Sequence, residues 1–160
     1  MNTDKKIVGI KTLQGKIARL RRQGKTVVFT NGCFDILHLG HVQYLEKAKG
    51  RNRILIVGLN SDRSVRLIKG PRRPIVSEKA RARVLAALAC VDYVTIFNED
   101  TPQKLIAALK PDVLIKGADW KGKEVAGSDI VRRHGGRVEY IRYIPQYSST
   151  KIIEAVLRRS

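Results

Sequence analysis

The residues best suited to chemistry are His38 and His41, which stand three positions apart with Gly40 between them. They follow an apolar, β-branched segment, Thr26–Thr30, which predicts a buried strand, and they precede a helical apolar stripe that begins at Val42. A strand that ends in a glycine-containing turn and leads into a helix brings backbone N–H groups and the positive end of the helix dipole together. The pattern therefore predicts a binding site for an anion such as phosphate.

Three interpretations of the histidine pair are open on this basis. As zinc ligands the histidines would need further partners, but the only other histidine, His134, lies in a different predicted turn, and neither Cys33 nor Cys90 has ligand spacing. If the histidines were packed side chains without a role, their position beside two glycines at the start of a helix would be a coincidence. As phosphate contacts they would present N–H donors beside the helix N-terminus, with Gly40 leaving room for a ligand. The composition favours the third interpretation.

The elements around this segment alternate between strand and helix along the whole chain. Such alternation, with nearly continuous apolar strands, predicts a Rossmann-like, doubly wound α/β fold with five parallel strands in a single domain, residues 1–160. Residues 1–24 would form a helical extension packed on it. Ligands of such sheets lie at the carboxyl ends of the strands, so the turns after Thr30, Leu59 and Lys116 are expected on one edge. The predicted strands cover residues 26–30, 53–59, 93–97, 113–116 and 137–141; the predicted helices cover 12–23, 40–49, 64–68, 77–88, 101–110, 128–133 and 151–158.

Composition narrows the range of functions. The net charge of the 160 residues is +18, and the excess lies mostly in the first half, where the chain through Arg83 has 20 basic and 5 acidic residues. A solvated basic surface, a nucleic-acid partner and a substrate with several phosphates all fit this excess. Aromatic residues make up only 6% and are not interleaved with the basic ones, which argues against nucleic acid as the main partner. No apolar run predicts a membrane span or a signal peptide, which makes a cytoplasmic protein with reduced thiols the expectation.

Two separated motifs resemble those of the cytidylyltransferase-like nucleotidyltransferases, which are relatives of class I aminoacyl-tRNA synthetases. The first is Gly32-x-Phe34-Asp35-x-x-His38-x-Gly40-His41, called the signature turn below. The second is Ser148-Ser149-Thr150, which resembles the stretch that opens the C-terminal helix of these enzymes and meets the triphosphate. Taken alone, the second motif predicts only a helix cap. The two motifs together are a far more specific sign of this family than either one alone.

Further motifs, in order and spacing, are similar to those of the heptose 1-phosphate adenylyltransferases, and the similarity extends from about Thr12 to Leu157. The resemblance implies that ATP and D-glycero-β-D-manno-heptose 1-phosphate are joined to ADP-D-glycero-β-D-manno-heptose and pyrophosphate, with Mg²⁺ accompanying ATP, in the synthesis of lipopolysaccharide core precursors. In many members this domain follows a sugar kinase; a chain without one would depend on another protein for the kinase step. The family also makes a homodimer possible. The shared motifs are Asn31–His38, Leu59–Asp62, Lys69-Gly70, Arg72–Pro74, Glu99–Pro102, Lys116–Asp119 and Val125–Ser128.

The resemblance assigns roles residue by residue. His38, His41 and Lys69 would be catalytic, with Lys69 closing over both substrates from a Gly/Pro-rich loop. No metal-ligand set is implied; Asp35 would either contact the cation indirectly or fix the turn. One departure is residues 143–147, where related glycerol 3-phosphate enzymes have an arginine-led motif that only Arg142 could replace. The remaining nucleotide-binding residues would be Asn31, Gly32, Cys33, Phe34, Gly40, Arg81, Lys116, Gly117, Asp119, Ser148, Ser149 and Thr150.

Two alternatives belong to other classes of activity. A cytidylyltransferase for glycerol 3-phosphate or a similar small phosphorylated alcohol would share the motifs and differ in base and acceptor. A basic nucleic-acid-binding module would explain the charge without chemistry, and its binding would depend steeply on salt. No side chain in the sequence distinguishes ATP from CTP, because backbone groups usually select the base in this fold.

Overall fold

Five parallel strands form one sheet with helices on both faces, in a computed structural model that describes residues 2–142 and 147–159. The strands are β1 (Thr26–Gly32), β2 (Arg53–Asn60), β3 (Tyr93–Phe97), β4 (Val113–Gly117) and β5 (Arg137–Ile141). The helices are α1 (Ile10–Arg22), α2 (Leu39–Lys49), α3 (Asp62–Lys69), α4 (Glu78–Ala87), α5 (Gln103–Leu109), α6 (Ser128–Arg133) and α7 (Ser149–Leu157), with 3₁₀ turns at Thr3–Lys6 and Ala118–Trp120. The predicted fold class is confirmed.

The strand order is β3-β2-β1-β4-β5, so the order reverses between β1 and β4. In a doubly wound sheet the crevice for a ligand opens at such a reversal, at the carboxyl ends of the strands. The ends of β1, β2 and β4 therefore share one edge, as the sequence predicts. Strand β1 continues two residues beyond the predicted end, because Asn31 and Gly32 pair in register with Gly58 and Leu59. This extension places the signature turn directly at the crevice.

Two hydrophobic cores lie on the two faces of the sheet. Alternate residues of β1 point to opposite faces: Val28 packs in one core with Leu45 of α2, and Phe29 packs in the other with Leu13 of α1. Leu13 is fully buried, so the N-terminal helix contributes to the core. Helix α3 is longer than the predicted segment 64–68, because Ser61 caps it by accepting a hydrogen bond from the Ser64 amide. None of the helices in the described parts of the chain is both long and apolar enough to span a membrane.

Gly58 in the inner strand β2 gives a test of this packing. A Cβ built at Gly58 would lie 2.6 Å from the Phe29 ring, which is fully buried. We expect Gly58→Ala to lower the free energy of unfolding by about 1–3 kcal/mol, which denaturant unfolding measures. Gly15→Ala is the matched control, because the added methyl group in α1 meets nothing within 4 Å. That substitution should raise stability by about 0.5–1 kcal/mol. Equal effects of the two substitutions would contradict the packing.

Candidate active site

A cleft of about 680 Å³ opens at the carboxyl ends of the central strands. It brings together residues from both ends of the chain, since the signature turn and the start of α7 face each other across it. Most of the residues that the sequence nominated contribute to its wall. Those lining the cleft are Asn31, Gly32, Cys33, Phe34, His38, His41, Lys69, Lys116, Gly117, Asp119, Ser148, Ser149 and Thr150.

The signature turn has a backbone shape that its residues specify. Phe34 adopts a positive φ of 45°, which is uncommon outside glycine, and its ring approaches Gly32 so closely that a Cβ there would lie 3.0 Å away. His38 then occupies the position before the first residue of α2 without capping it through its side chain. Because His38 and His41 line the cleft, the N-terminus of α2 lies beside it, where the helix dipole suits an anion.

The two histidine rings stack on each other. Their centroids are 3.8 Å apart with 21° between the planes, and the Phe34 ring lies 5.0 Å from the centroid of His41. Burial and the neighbouring His38 lower the pKa of His41 to about 4, although the Ile36 carbonyl group acts in the opposite direction. Burial also lowers the pKa of His38. His41 is therefore neutral near pH 7, and two positive charges do not face each other at 3.8 Å.

Each histidine also has a ring nitrogen without a partner. The Nδ1 atoms of His38 and His41 are buried and form no hydrogen bond with any residue in the described parts of the chain. Leaving a buried polar atom unpaired costs free energy, so such atoms are expected where a ligand supplies the missing partner. Because neutral His41 pairs its one N–H group with the Ile36 carbonyl oxygen, its Nδ1 atom is the unprotonated nitrogen and accepts hydrogen bonds.

Gly40 plays a different part from the one that the sequence predicted. A Cβ at Gly40 would lie 3.1 Å from the His38 ring and 3.5 Å from the Tyr147 Cβ. The missing side chain thus makes room for the imidazole of His38, whereas the prediction was room for a ligand between the histidines. Gly40 is buried and does not line the cleft.

The start of α7 is attached directly to the signature turn. Ser148 caps the helix by accepting a hydrogen bond from the Lys151 amide, and the Ser149 hydroxyl group donates to the Ile36 carbonyl oxygen at 3.1 Å. Thr150 also lines the cleft. Since α2 and α7 both begin at the cleft, two helix N-termini face the same space, which favours a ligand with several negative charges.

Lys116 lies at the end of β4, on the side of β1 that faces away from β2. Its Nζ atom donates to Oδ1 of Asn31 at 2.6 Å and lies 5.6 Å from the centre of the Trp120 ring. Burial lowers the pKa of Lys116 to about 8, while Asp119 acts in the opposite direction. The lysine is therefore mostly charged at neutral pH and provides a cation at the end of β4.

Lys69 was predicted on a Gly/Pro-rich loop, but it is the last residue of α3. The loop that follows it, called the Lys69 loop, is fastened to the signature turn by one carboxylate. Asp35 is 3% exposed and accepts hydrogen bonds from the Arg73 side chain at 2.6 Å and from the amides of Ile75 and Val76 at 2.8 and 2.9 Å. Burial alone would raise the pKa of Asp35, but these hydrogen bonds and the charge of Arg73 outweigh it and lower the pKa. Of the two roles that the sequence left open for Asp35, the geometry supports fixing the turn.

Arg81 was predicted to bind a phosphate, but it does not line the cleft. It is 2% exposed and donates to the backbone oxygens of Cys33, Asn60 and Val76 and to the Asp62 carboxylate. Its donors point to protein groups behind the cleft wall. Arg81 therefore joins the signature turn, the end of β2 and the Lys69 loop, and its positive charge lies close behind the site.

The cleft is also lined by Asp35, which the sequence had singled out, and by residues that it did not assign to the site. Most follow a strand end or belong to the Lys69 loop, and this position in the predicted sheet was the signal that could have found them. The described residues include no group of three or more His, Cys, Asp or Glu side chains arranged to hold a metal ion. The additional lining residues are Asp35, Tyr44, Asn60, Ile68, Arg73, Asp100, Thr101, Pro102, Trp120, Ala126 and Tyr147.

Together, the doubly wound sheet and a cleft that pairs an H-x-G-H turn with a second helix N-terminus define a nucleotidyltransferase. The model of the cytidylyltransferase-like family matches residues 29–155, and the chain belongs to this family. It is 53% identical to the bifunctional protein HldE of Syntrophotalea carbinolica over 156 residues, and 54% identical to that of Helicobacter pylori over 146 residues. These matches cover 98% and 91% of this chain, but the chain spans only about a third of each relative, 32% and 31%.

A solved structure shows the same fold. The crystal structure of the lipopolysaccharide core biosynthesis protein from Thermoplasma volcanium superimposes with a TM-score of 0.59 at 31% sequence identity. The match covers 74% of this chain and 96% of that protein.

Substitution of Asp35 tests the fastening of the loop. Asn at this position cannot accept all the hydrogen bonds that the carboxylate accepts, so Asp35→Asn should lower the free energy of unfolding by about 2–3 kcal/mol at pH 7. Because the pKa of Asp35 is lowered by folding, its contribution is present above the unfolded value of about 3.9 and is lost as the pH falls through the folded value. Denaturant unfolding of both proteins between pH 7 and pH 2.5 measures the difference.

Asp129→Asn is the control for this experiment. Asp129 is also a carboxylate paired with an arginine, but it lies exposed on α6 and its ion pair with Arg133 is open to solvent. We expect it to change stability by less than about 0.5 kcal/mol. The role of Asp35 would be contradicted if Asp35→Asn lowered the free energy of unfolding no more than Asp129→Asn does. It would also be contradicted if the effect of Asp35→Asn grew as the pH falls.

Proposed function

We propose that this protein transfers an adenylyl group from ATP to D-glycero-β-D-manno-heptose 1-phosphate and releases pyrophosphate. The observation that carries the proposal is the single cleft formed by the signature turn and the start of α7, joined by the hydrogen bond from Ser149 to Ile36. Two helix N-termini, two neutral histidines and several cations converge there on a space suited to a triphosphate.

The reaction is an in-line displacement at the α-phosphorus of ATP. An oxygen of the sugar phosphate forms the new P–O bond, and the bond from the α-phosphorus to the bridging oxygen breaks, so that pyrophosphate leaves with that oxygen. The attacking oxygen is already an anion, so the step needs no strong general base. Catalysis then rests on alignment and on neutralising the charge that develops on the α-phosphate and the pyrophosphate.

The side chains divide these tasks by position. His38 and His41, which both line the cleft, would contact the α-phosphate and the leaving group. The amides beside Cys33 would hold phosphate oxygens. Lys69 would close over both substrates, because it is exposed at the end of α3, next to the loop that Asp35 fastens. Lys116 would contribute charge at the base and ribose end.

Mg²⁺ would enter as part of the magnesium–ATP substrate. The described residues hold no cluster of carboxylates for it, and Asp35 is occupied by Arg73 and two amides. This donor set fits a cation held mainly by the triphosphate oxygens and water, which is how Mg²⁺ commonly binds with nucleotides. The use of ATP also favours a cytoplasmic site of action.

The choice of sugar rests on similarity. The signature turn and the accompanying motifs resemble those of heptose 1-phosphate adenylyltransferases, and the structurally similar protein from Thermoplasma volcanium is a lipopolysaccharide core biosynthesis protein. The product would therefore be ADP-D-glycero-β-D-manno-heptose, a precursor of the lipopolysaccharide core. This proposal concerns only the region that the chain shares with its longer relatives.

A product assay tests the proposal. The purified chain is incubated with magnesium and either ATP or CTP, together with heptose 1-phosphate or glycerol 3-phosphate, and the products are identified by mass spectrometry. We expect ADP-heptose and pyrophosphate from ATP and heptose 1-phosphate, at a rate at least about tenfold above that of any other pair. CDP-glycerol as the main product would replace the proposal with the cytidylyltransferase alternative, and no product from any pair would overturn it.

A further inference from the structure

The cleft has two arms, one on either side of β1. The first, the β4 arm, consists of Lys116, Asp119 and Trp120 at the end of β4. The second, the β2–β3 arm, consists of Asn60 at the end of β2 and Asp100-Thr101-Pro102 after β3. Because β1 lies between β2 and β4 in the sheet, the two arms extend in opposite directions from the phosphate-binding turn. Two substrates, one bound on each arm, would meet at His38 and His41.

The chemistry of the arms differs. Trp120 is 42% exposed and provides an aromatic surface on the β4 arm, where a nucleobase can stack. The β2–β3 arm has no aromatic side chain and consists of an amide, a carboxylate, a hydroxyl group and a proline. Such polar groups suit a ligand rich in hydroxyl groups. The base would therefore lie on the β4 arm and the phosphorylated acceptor on the other.

The β2–β3 arm is held in place by buried hydrogen bonds. The Asn60 side chain donates to the Ser64 hydroxyl group at 2.8 Å, and that hydroxyl group donates to the backbone oxygen of Glu99. The Ser61 amide donates to the Phe97 carbonyl oxygen at 2.9 Å. Asn60, Ser61 and Ser64 are all buried. The segment that presents Asp100 is thus fixed to the end of β2 before any substrate arrives, as specific recognition requires.

Asp100 is unusual in this cationic site. Lys69, Arg73 and Lys116 line the same cleft, yet none of the described residues forms an ion pair with Asp100, whose carboxylate accepts only the adjacent Thr101 amide at 2.9 Å. A carboxylate disfavours phosphate by repulsion, but it is a strong acceptor for hydroxyl groups. Its remaining oxygen lone pairs are available to a ligand.

We propose that Asp100 determines acceptor specificity by accepting hydrogen bonds from the hydroxyl groups of the sugar phosphate on the β2–β3 arm. The inference rests on the proposed adenylyl transfer, and it names the residue that distinguishes a polyhydroxylated sugar phosphate from a smaller phosphorylated alcohol. It also predicts the direction in which a substitution of Asp100 changes the KM for the acceptor. If Asp100 only repelled phosphate, removing its charge would lower the KM for the acceptor, whereas hydroxyl recognition requires the KM to rise.

Steady-state kinetics of Asp100→Asn tests the inference. With saturating magnesium–ATP, the KM for heptose 1-phosphate should rise about 10- to 100-fold, as expected for loss of hydrogen bonds to a charged group. The KM for ATP should stay within about twofold, because the base and triphosphate lie elsewhere in the cleft. Asp129→Asn, which removes an equal charge from exposed α6, should change neither constant. Asp100 is exposed, so the variant should fold, and thermal unfolding checks this.

The outcomes separate the inference from the proposed function. An unchanged or lowered KM for heptose 1-phosphate in Asp100→Asn, with an active native protein, would overturn the role of Asp100 and leave the adenylyl transfer standing. A native protein that makes no ADP-heptose would overturn both. Equal increases in KM for heptose 1-phosphate and glycerol 3-phosphate would also contradict the inference, because the residue would then not discriminate between acceptors.

Discussion

One buried carboxylate connects the parts of the active site that must be held in place. Asp35 lies inside the signature turn, yet all its partners come from the loop after α3: the Arg73 side chain and the amides of Ile75 and Val76. Arg81 completes the connection, because it donates to the Val76 carbonyl oxygen on one side and to the Cys33 carbonyl oxygen on the other. The signature turn and the loop that follows Lys69 are therefore one hydrogen-bonded unit.

The electrostatics of the cleft follow from burial as much as from charge. The chain has a net charge of +18, but the histidines closest to the expected phosphates are kept neutral, since the pKa of His41 is about 4. Neutral imidazoles can stack 3.8 Å apart without charge repulsion. The fixed cations lie around them, on Lys69 and Lys116 in the cleft and on Arg81 behind its wall. In the proposed reaction, this arrangement would stabilise a developing phosphate charge without repulsion between the groups that touch it.

The sequence predicted the sheet and most of the cleft because these depend on local patterns. β-Branched apolar runs mark the strands, and ligand sites of parallel sheets gather at strand ends, so the residues near Asn31 and Lys116 could be placed together. Three features depended on contacts between distant residues. Arg81 lies behind the cleft wall because it donates to carbonyl oxygens of other segments. Gly40 leaves space for the His38 ring. Asp100 lies at the cleft because the buried Ser64 hydroxyl group donates to the neighbouring Glu99 carbonyl oxygen. Composition alone does not show which partner a side chain meets.

The central claim is that His41 acts on phosphates during the chemical step. The most direct measurement is pyrophosphate release by His41→Ala with ATP and heptose 1-phosphate, alongside calorimetric ATP binding, with His134→Ala as control because His134 does not line the cleft. The account predicts that kcat falls about 100- to 1,000-fold for His41→Ala, that the Kd for ATP changes far less, and that His134→Ala behaves as the native protein. Near-normal pyrophosphate release by His41→Ala would contradict it.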